Sequence, residues 1–218
     1  MTGRERVVAA ARGGEVDHRP VIALDGSLPA DARVIDLSEL ESARGQDDAI
    51  LVCVPSPLAR ALASGEDIYA RLNQDPVSGE RVLEELSLQV RADVAEALNG
   101  GADGICYRLV GATPAHSTPM QYGGHFLELD RGLLEEVAEA RFNLLLVEGD
   151  EEPYLDFVSD LSAHAFGWSA ASGVSVRYMQ SMRPGALAVH AGLADADQAQ
   201  FELKGTLPAL VQPQGALR

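Results

Sequence analysis

The sequence predicts an α/β protein built on a parallel sheet, and three observations carry the prediction. Leu144, Leu145, Leu146 and Val147 form an unbroken apolar run. A strand wetted on one face would alternate, so this one is covered on both. The run stops in Glu148, Gly149, Asp150, Glu151 and Glu152, and a covered strand ending in glycine and acids is how α/β proteins place a site at the carboxyl ends of their strands. From Asp48 onward, strand-like runs alternate with helical patterns, the signature of a parallel sheet closed as a barrel or left open and doubly wound. The same acids also suit a solvated loop that opens a helix, because the helix dipole favours them there.

At the amino-terminal end, Thr2 caps a short helix with Val7, Val8 and Ala11 on one stripe, ended by Gly13-Gly14. Asp17-His18-Arg19-Pro20 turns the chain into a first strand, Val21–Leu24, which stops at Asp25-Gly26. Ala32–Leu37 reads as a second strand. The link between them is too short for a crossover helix, since a parallel crossover takes about a dozen residues or more. The region is therefore either an antiparallel excursion or a barrel lacking a piece. Asp48–Val54 is the third strand, cut by Pro55-Ser56-Pro57 and followed by helices over Pro57–Ala63 and Asp67–Leu72.

The longest helix, Ser78–Asn99, carries Val82, Leu83, Leu86, Val90, Val94, Ala97 and Leu98 on an amphipathic stripe and stops at Gly100-Gly101. Ala102–Leu109 is the fourth strand. Gly111–Gly124 is a long loop that, with His116, Tyr122 and the adjoining His125, either covers a ligand or packs over the strand ends. Helices over Leu127–Arg141, Pro153–Leu161 and Val174–Met182 alternate with strands over Phe142–Val147, Ala163–Trp168 and Ala186–His190, and Phe201–Leu203 reads as a further short strand. No linker divides the 218 residues, so one domain over 1–218 is expected.

Composition excludes several function classes. Acids outnumber Lys plus Arg by 33 to 17, a formal charge of −16. Nucleic acid is excluded as a partner, because binding it requires a basic face. A polyanionic substrate is disfavoured unless arginines gather in the site. No apolar run reaches the roughly 20 residues of a membrane span, and the N-terminus lacks a signal-peptide core. The expectation is a cytoplasmic protein with no membrane partner. Cys53 and Cys106 fall in strands and read as buried free thiols.

The order of turns resembles the uroporphyrinogen decarboxylase superfamily, which includes corrinoid-linked methyltransferases. Four stretches carry the resemblance: Arg4–Gly13 with Val16-Asp17-His18-Arg19-Pro20-Val21; Ala49–Pro57 with Asp75-Pro76; Gly100-Gly101-Ala102-Asp103-Gly104-Ile105; and Phe142–Gly149 with Phe166-Gly167-Trp168 and Ala186–Leu193. The resemblance implies a compact (β/α)8 TIM-like barrel, incomplete between its first and third strands. It implies a homodimer, and a site at the carboxyl ends of the strands. By kinship the activity is that of a carboxy-lyase of tetrapyrrole (porphyrin) metabolism. The alternative is a non-catalytic or altered relative that binds a small molecule or a corrinoid partner.

Several family positions are changed. Asp36 is the only candidate for the aspartate at the end of strand two, the tyrosine after the proline turn falls on Ala61 or Ala63, and the serine after strand four falls near Val110. The late histidine has no counterpart, because His190 lies one strand early, and the methyltransferases' zinc pair is replaced by Leu146 and Glu148.

In a barrel, the strand ends gather Asp25, Asp36, Ser56, Tyr107, Arg108, Glu148, Trp168, Ser169 and His190. Asp36, Glu148 and His190 are the candidate catalytic residues, Glu148 with His190 as a general acid/base pair. Asp25, Arg19, Tyr107, Arg108 and Trp168 are the candidate substrate-binding residues, Trp168 as a platform for a ring. Arg177 and Arg183 are further cations near the mouth. Asp25, Asp36, Glu148 and His190 could together hold a divalent ion. No local spacing supports such a site, so no metal and no cofactor is assigned. The expected partner is a small-molecule ligand at the barrel mouth. The few cations there weigh against a tetrapyrrole bearing a ring of carboxylates.

Overall fold

The computed structural model describes all residues except 19, 25–29, 170–171, 176–177, 179–180, 183–186, 192–209 and 212–218; for 187–191 and 210–211 it describes the backbone alone. The strands are β1 (Val21–Ala23), β2 (Ala32–Ile35), β3 (Ala49–Pro55), β4 (Gly104–Leu109), β5 (Leu144–Val147), β6 (Ala165–Ser169), β7 (Leu187–Ala191) and β8 (Leu210–Val211). They form one sheet in the order β7-β6-β5-β4-β3-β2-β1-β8, and every recorded pairing is parallel. The edge strands β7 and β8 approach each other. Among the described residues no pairing joins them, so the architecture is an incomplete TIM-like barrel.

The doubt over the first two strands is resolved by their register. Ile22 pairs with Ala32 and Ala23 with Arg33, in parallel. The region is a barrel lacking a crossover, not an antiparallel excursion. The expected strand at Phe201–Leu203 and residues 176–177 and 179–180 of the expected helix at Val174–Met182 lie outside the described residues. The β8 strand carries no periodic signal in the sequence.

The helices follow from local chemistry. Helix α1 (Gly3–Ala11) opens on a reciprocal cap: the Glu5 N–H donates to Thr2 Oγ1 at 3.2 Å, and the Thr2 N–H donates to Glu5 Oε2 at 2.9 Å. A short turn leads into α2 (Leu40–Ala43). Ser56 and Asp75 cap α3 (Pro57–Ala63) and α5 (Pro76–Asn99), each with proline at the first helical position. Between them lies α4 (Ile68–Gln74). The loop after β4 forms α6 (Pro119–Gln121) and a π-helical turn, Tyr122–Phe126, that runs into α7 (Leu127–Glu136). Helix α8 is short, Leu155–Val158.

Strand alternation sorts the apolar residues into two layers. Ile22, Ala32, Val34, Ala49, Leu51, Cys106, Leu144, Leu146 and Ala165 fill the barrel interior. Val7 of α1 joins them and closes the floor. Val52, Val54, Ile105, Tyr107, Leu109, Leu145, Val147, Phe166 and Trp168 face the helices instead. On α5, Leu83, Ser87, Val90, Val94 and Ala97 form the buried stripe.

The amino-terminal ends of the strands share one device. A polar residue just before one strand accepts a backbone N–H from the start of the strand before it. Val21 N–H donates to Asp31 Oδ2 at 2.8 Å, Ile50 N–H to Asp103 Oδ2 at 3.0 Å, and Ile105 N–H to Asn143 Oδ1 at 3.1 Å. The Asn143 N–H in turn donates to His164 Nδ1 at 3.0 Å. Arginines close the ring from below: Arg4 Nε and Arg141 Nη1 each reach Asp103 at 2.9 Å, and Arg6 pairs with Asp31. The packing there is close enough to exclude a side chain at Gly104, whose added Cβ would sit 1.9 Å from the Phe142 carbonyl oxygen.

Candidate functional site

At the opposite end, the carboxyl ends of β2, β3 and β4 open a cavity of about 170 Å³. It is lined by Leu24, Val34, Ile35, Asp36, Glu39, Cys53, Cys106, Arg108 and Leu146. The apolar floor is the top of the barrel interior. Among the described residues, its polar groups are two carboxylates, two thiols and one guanidinium.

Arg108 stands on the inward face of β4. Its Nε donates to Glu148 Oε1, one residue past the end of β5. Both side chains are about a quarter exposed, at 27 % and 21 %. Burial works against the guanidinium charge, but Glu148 and then the adjacent Cys53 outweigh it and raise the Arg108 pKa. Glu148 is held by its backbone as well, its N–H donating to Leu109 O at 3.0 Å. The turn that follows requires glycine: Gly149 has φ +118°, and a Cβ there would press within 2.8 Å of Thr113 Oγ1.

Cys53 and Cys106 are register partners on β3 and β4, and both are free. Burial raises the Cys53 pKa, against the lowering effect of Arg108. Burial, then the neighbouring Cys53, pushes the Cys106 thiol well above its usual value. Both are therefore thiols, not thiolates, at neutral pH.

Asp36 lies exposed on the rim, at the start of a short turn, its N–H donating to Glu39 Oε2 at 3.2 Å. Of the sequence candidates, Asp36, Arg108 and Glu148 thus meet at one mouth. Ser56 is a brace there: its Oγ accepts from the N–H of Ala59 at 3.3 Å and of Val110 at 3.4 Å.

Tyr107 and Trp168 stand elsewhere. Neither has any exposed surface, and both pack in the layer between sheet and helices. The Tyr107 hydroxyl donates to Asp130 of α7 at 2.6 Å, and the Trp168 indole N–H donates to Val174 O at 3.1 Å. The physical reason is strand alternation: Tyr107 is adjacent to Arg108, so only one of them faces the interior. His190 is the register partner of Trp168 on β7. Its side chain lies outside the described residues, as do Arg19, Asp25, Arg177 and Arg183.

The loop after β4 packs down over the sheet. The Tyr154 N–H donates to Ala112 O at 2.8 Å and its hydroxyl to Ser117 O at 2.5 Å. His116 is exposed, and Tyr122 is buried against Asp130, to which its hydroxyl donates at 3.1 Å.

Two features escape sequence reasoning. Glu39 joins the rim from a turn whose only signal is the capping box Asp36-Leu37-Ser38-Glu39. Asp130 is fully buried beneath two tyrosine hydroxyls; burial raises its pKa to about 7 although both hydroxyls act to lower it. Its signal was an acid on the apolar stripe of an amphipathic helix. Among the described residues, no three His, Cys, Asp or Glu side chains gather as a metal-binding group. No described helix is long and apolar enough to cross a membrane.

No protein-family profile matches the chain, and no curated protein matches it in sequence. Among solved structures, its fold is similar to that of a methyltransferase from Methanosarcina mazei, with a TM-score of 0.75 over 99 % of this chain and 93 % of that one, at 13 % identity. At that identity the likeness concerns the fold: an α/β parallel sheet curled as in a TIM-like barrel.

Proposed function

We propose that this chain is an altered relative in the decarboxylase and corrinoid-linked methyltransferase superfamily, binding a small molecule at the barrel mouth. The observation that carries this reading is the mouth itself. Its cavity of about 170 Å³ is below the roughly 300–1,000 Å³ of pockets that enclose drug-sized ligands. Among the described residues, the one guanidinium on its wall is already paired with Glu148, and Asp36 and Glu39 stand beside it. A tetrapyrrole with many carboxylates meets neither the volume nor the charge it needs. A compact molecule with an apolar body and one anionic group meets both, its anion competing with Glu148 for Arg108. Decarboxylation of uroporphyrinogen is therefore the weaker reading, and the methyltransferase likeness favours the alternative.

That likeness also favours a second form of the proposal, in which a corrinoid-bearing partner docks over the same rim. Homodimerisation stays part of the proposal and is read by light scattering.

Thermal melts test these readings. Small carboxylic acids are expected to raise Tm in the intact chain and not in Arg108→Gln. A site held at a hundredfold excess over Kd gains about 2.7 kcal/mol, several degrees for a chain of this size. Hydroxocobalamin tests the second form in the same assay. Uroporphyrinogen that raises Tm, or that loses carbon dioxide on incubation as read by mass spectrometry, would overturn the proposal.

A further inference from the structure

The register of β3 and β4 places Cys53 opposite Cys106. Neighbouring strands lie about 4.8 Å apart, and side chains at partnered positions stand on the same face of the sheet. Both cysteines line the mouth cavity and both are free. Cys53 is half-buried and in contact with Arg108, whereas Cys106 is buried.

We propose that Cys53 and Cys106 form a two-sulfur chelating site for a thiophilic centre of the class of trivalent arsenicals, entered from the barrel mouth. This deepens the small-molecule reading and rests on the cavity being open to solutes.

Sulfur ligands select soft centres over hard ones. Two sulfurs held by adjacent strands bind one centre with the advantage of an intramolecular second step, about 10²–10⁴ in affinity over one sulfur. With an organic arsenic(III) oxide, two S–As bonds form. The oxide oxygen leaves as water, carrying away both thiol protons, and no electrons are transferred. That proton balance matters in this cavity, because burial keeps both cysteines protonated. A ligand must remove the protons itself, and the arsenical does. Asp36 and Glu39, the carboxylates on the wall, belong to a turn at the rim, so the pair of sulfurs is the chelate.

Phenylarsine oxide and the folded, reduced chain make the test, read by intact-mass spectrometry. A single adduct of one arsenical per chain is expected. It should survive a large excess of a monothiol and be stripped by 2,3-dimercaptopropanol. Cys53→Ala and Cys106→Val should each weaken capture at least a hundredfold, with circular dichroism reporting that both variants fold. Should either variant fail to fold, alkylation of Cys53 with iodoacetamide in the intact chain replaces it and should block the adduct. An adduct removed by a monothiol, one retained by a single variant, or no capture by the folded chain while the unfolded chain is captured would each overturn the proposal. Melting shifts with small carboxylic acids on the same sample separate the two readings. Shifts without arsenical capture leave the Arg108 pocket standing alone. Capture without shifts leaves the dithiol standing and removes the acid-binding pocket.

Discussion

The two ends of the barrel use the same residue types for opposite ends. At the amino-terminal end, Asp103 has no side-chain exposure and is fully occupied by Arg4, Arg141 and the Ile50 N–H. At the carboxyl end, Arg108 and Glu148 are partly open to solvent beside a cavity. Every acceptor on Asp103 is committed to strand geometry, whereas the Arg108–Glu148 pair can exchange partners. Acids at the floor are committed to the strands, whereas those at the mouth border the cavity that the proposal assigns to a ligand.

Four measurements break or sharpen that contrast. The largest effect is expected from Asp103→Ala, which leaves the buried Ile50 N–H unanswered and frees two solvent-exposed arginines; the N–H costs about 1–3 kcal/mol and each ion pair up to about 1 kcal/mol, together on the order of 10 °C in Tm. A loss below 1 kcal/mol in chemical denaturation would erase the distinction between the two ends. Gly104→Ala comes next. Its new Cβ must displace the Phe142 carbonyl, and overpacking of this kind costs about 1–3 kcal/mol.

Asp130 supplies the third test, through pH. Its folded pKa of about 7 lies above the unfolded value of 3.8, so the folded state holds a proton that the unfolded chain has released. The stability it contributes is full below the unfolded value and is lost as pH rises toward 7, with a slope of up to about 1.4 kcal/mol per pH unit. Asp130→Asn should remove that slope. Urea melts of both proteins at pH 5 and pH 8 check it, and parallel curves would refute it.

The smallest change in stability is expected at the mouth. Glu148→Gln should cost about 1 kcal/mol or less, yet strengthen the binding of small carboxylic acids several-fold by releasing Arg108. Isothermal titration would show a weakened or unchanged affinity if the pair were a fixed strut.

Much of this was legible in the residues. The unbroken run Leu144–Val147 did become a strand covered on both faces. Asp36, Arg108 and Glu148 were placed at strand ends, and they share one mouth. The error over Tyr107 and Trp168 came from reading strand ends without strand faces: two adjacent residues cannot both face the interior. The Cys53–Cys106 pairing was not legible, because register depends on how long loops close. The floor ring was hidden for a different reason. Asp31, Asp103 and Asn143 look like ordinary turn residues until the neighbouring strand arrives to use them.

That ring has a consequence for how the molecule is made. An N–H at the start of each of β1, β3 and β4, that of Val21, Ile50 or Ile105, is answered by a side chain that precedes the following strand. On a ribosome, the segments carrying Asp31, Asp103 and Asn143 therefore each latch an earlier strand, and until they emerge one amide of that strand stays raw. A chain halted after any of these strands would end in an unfinished hem, a built-in mark that separates a partial product from a whole one.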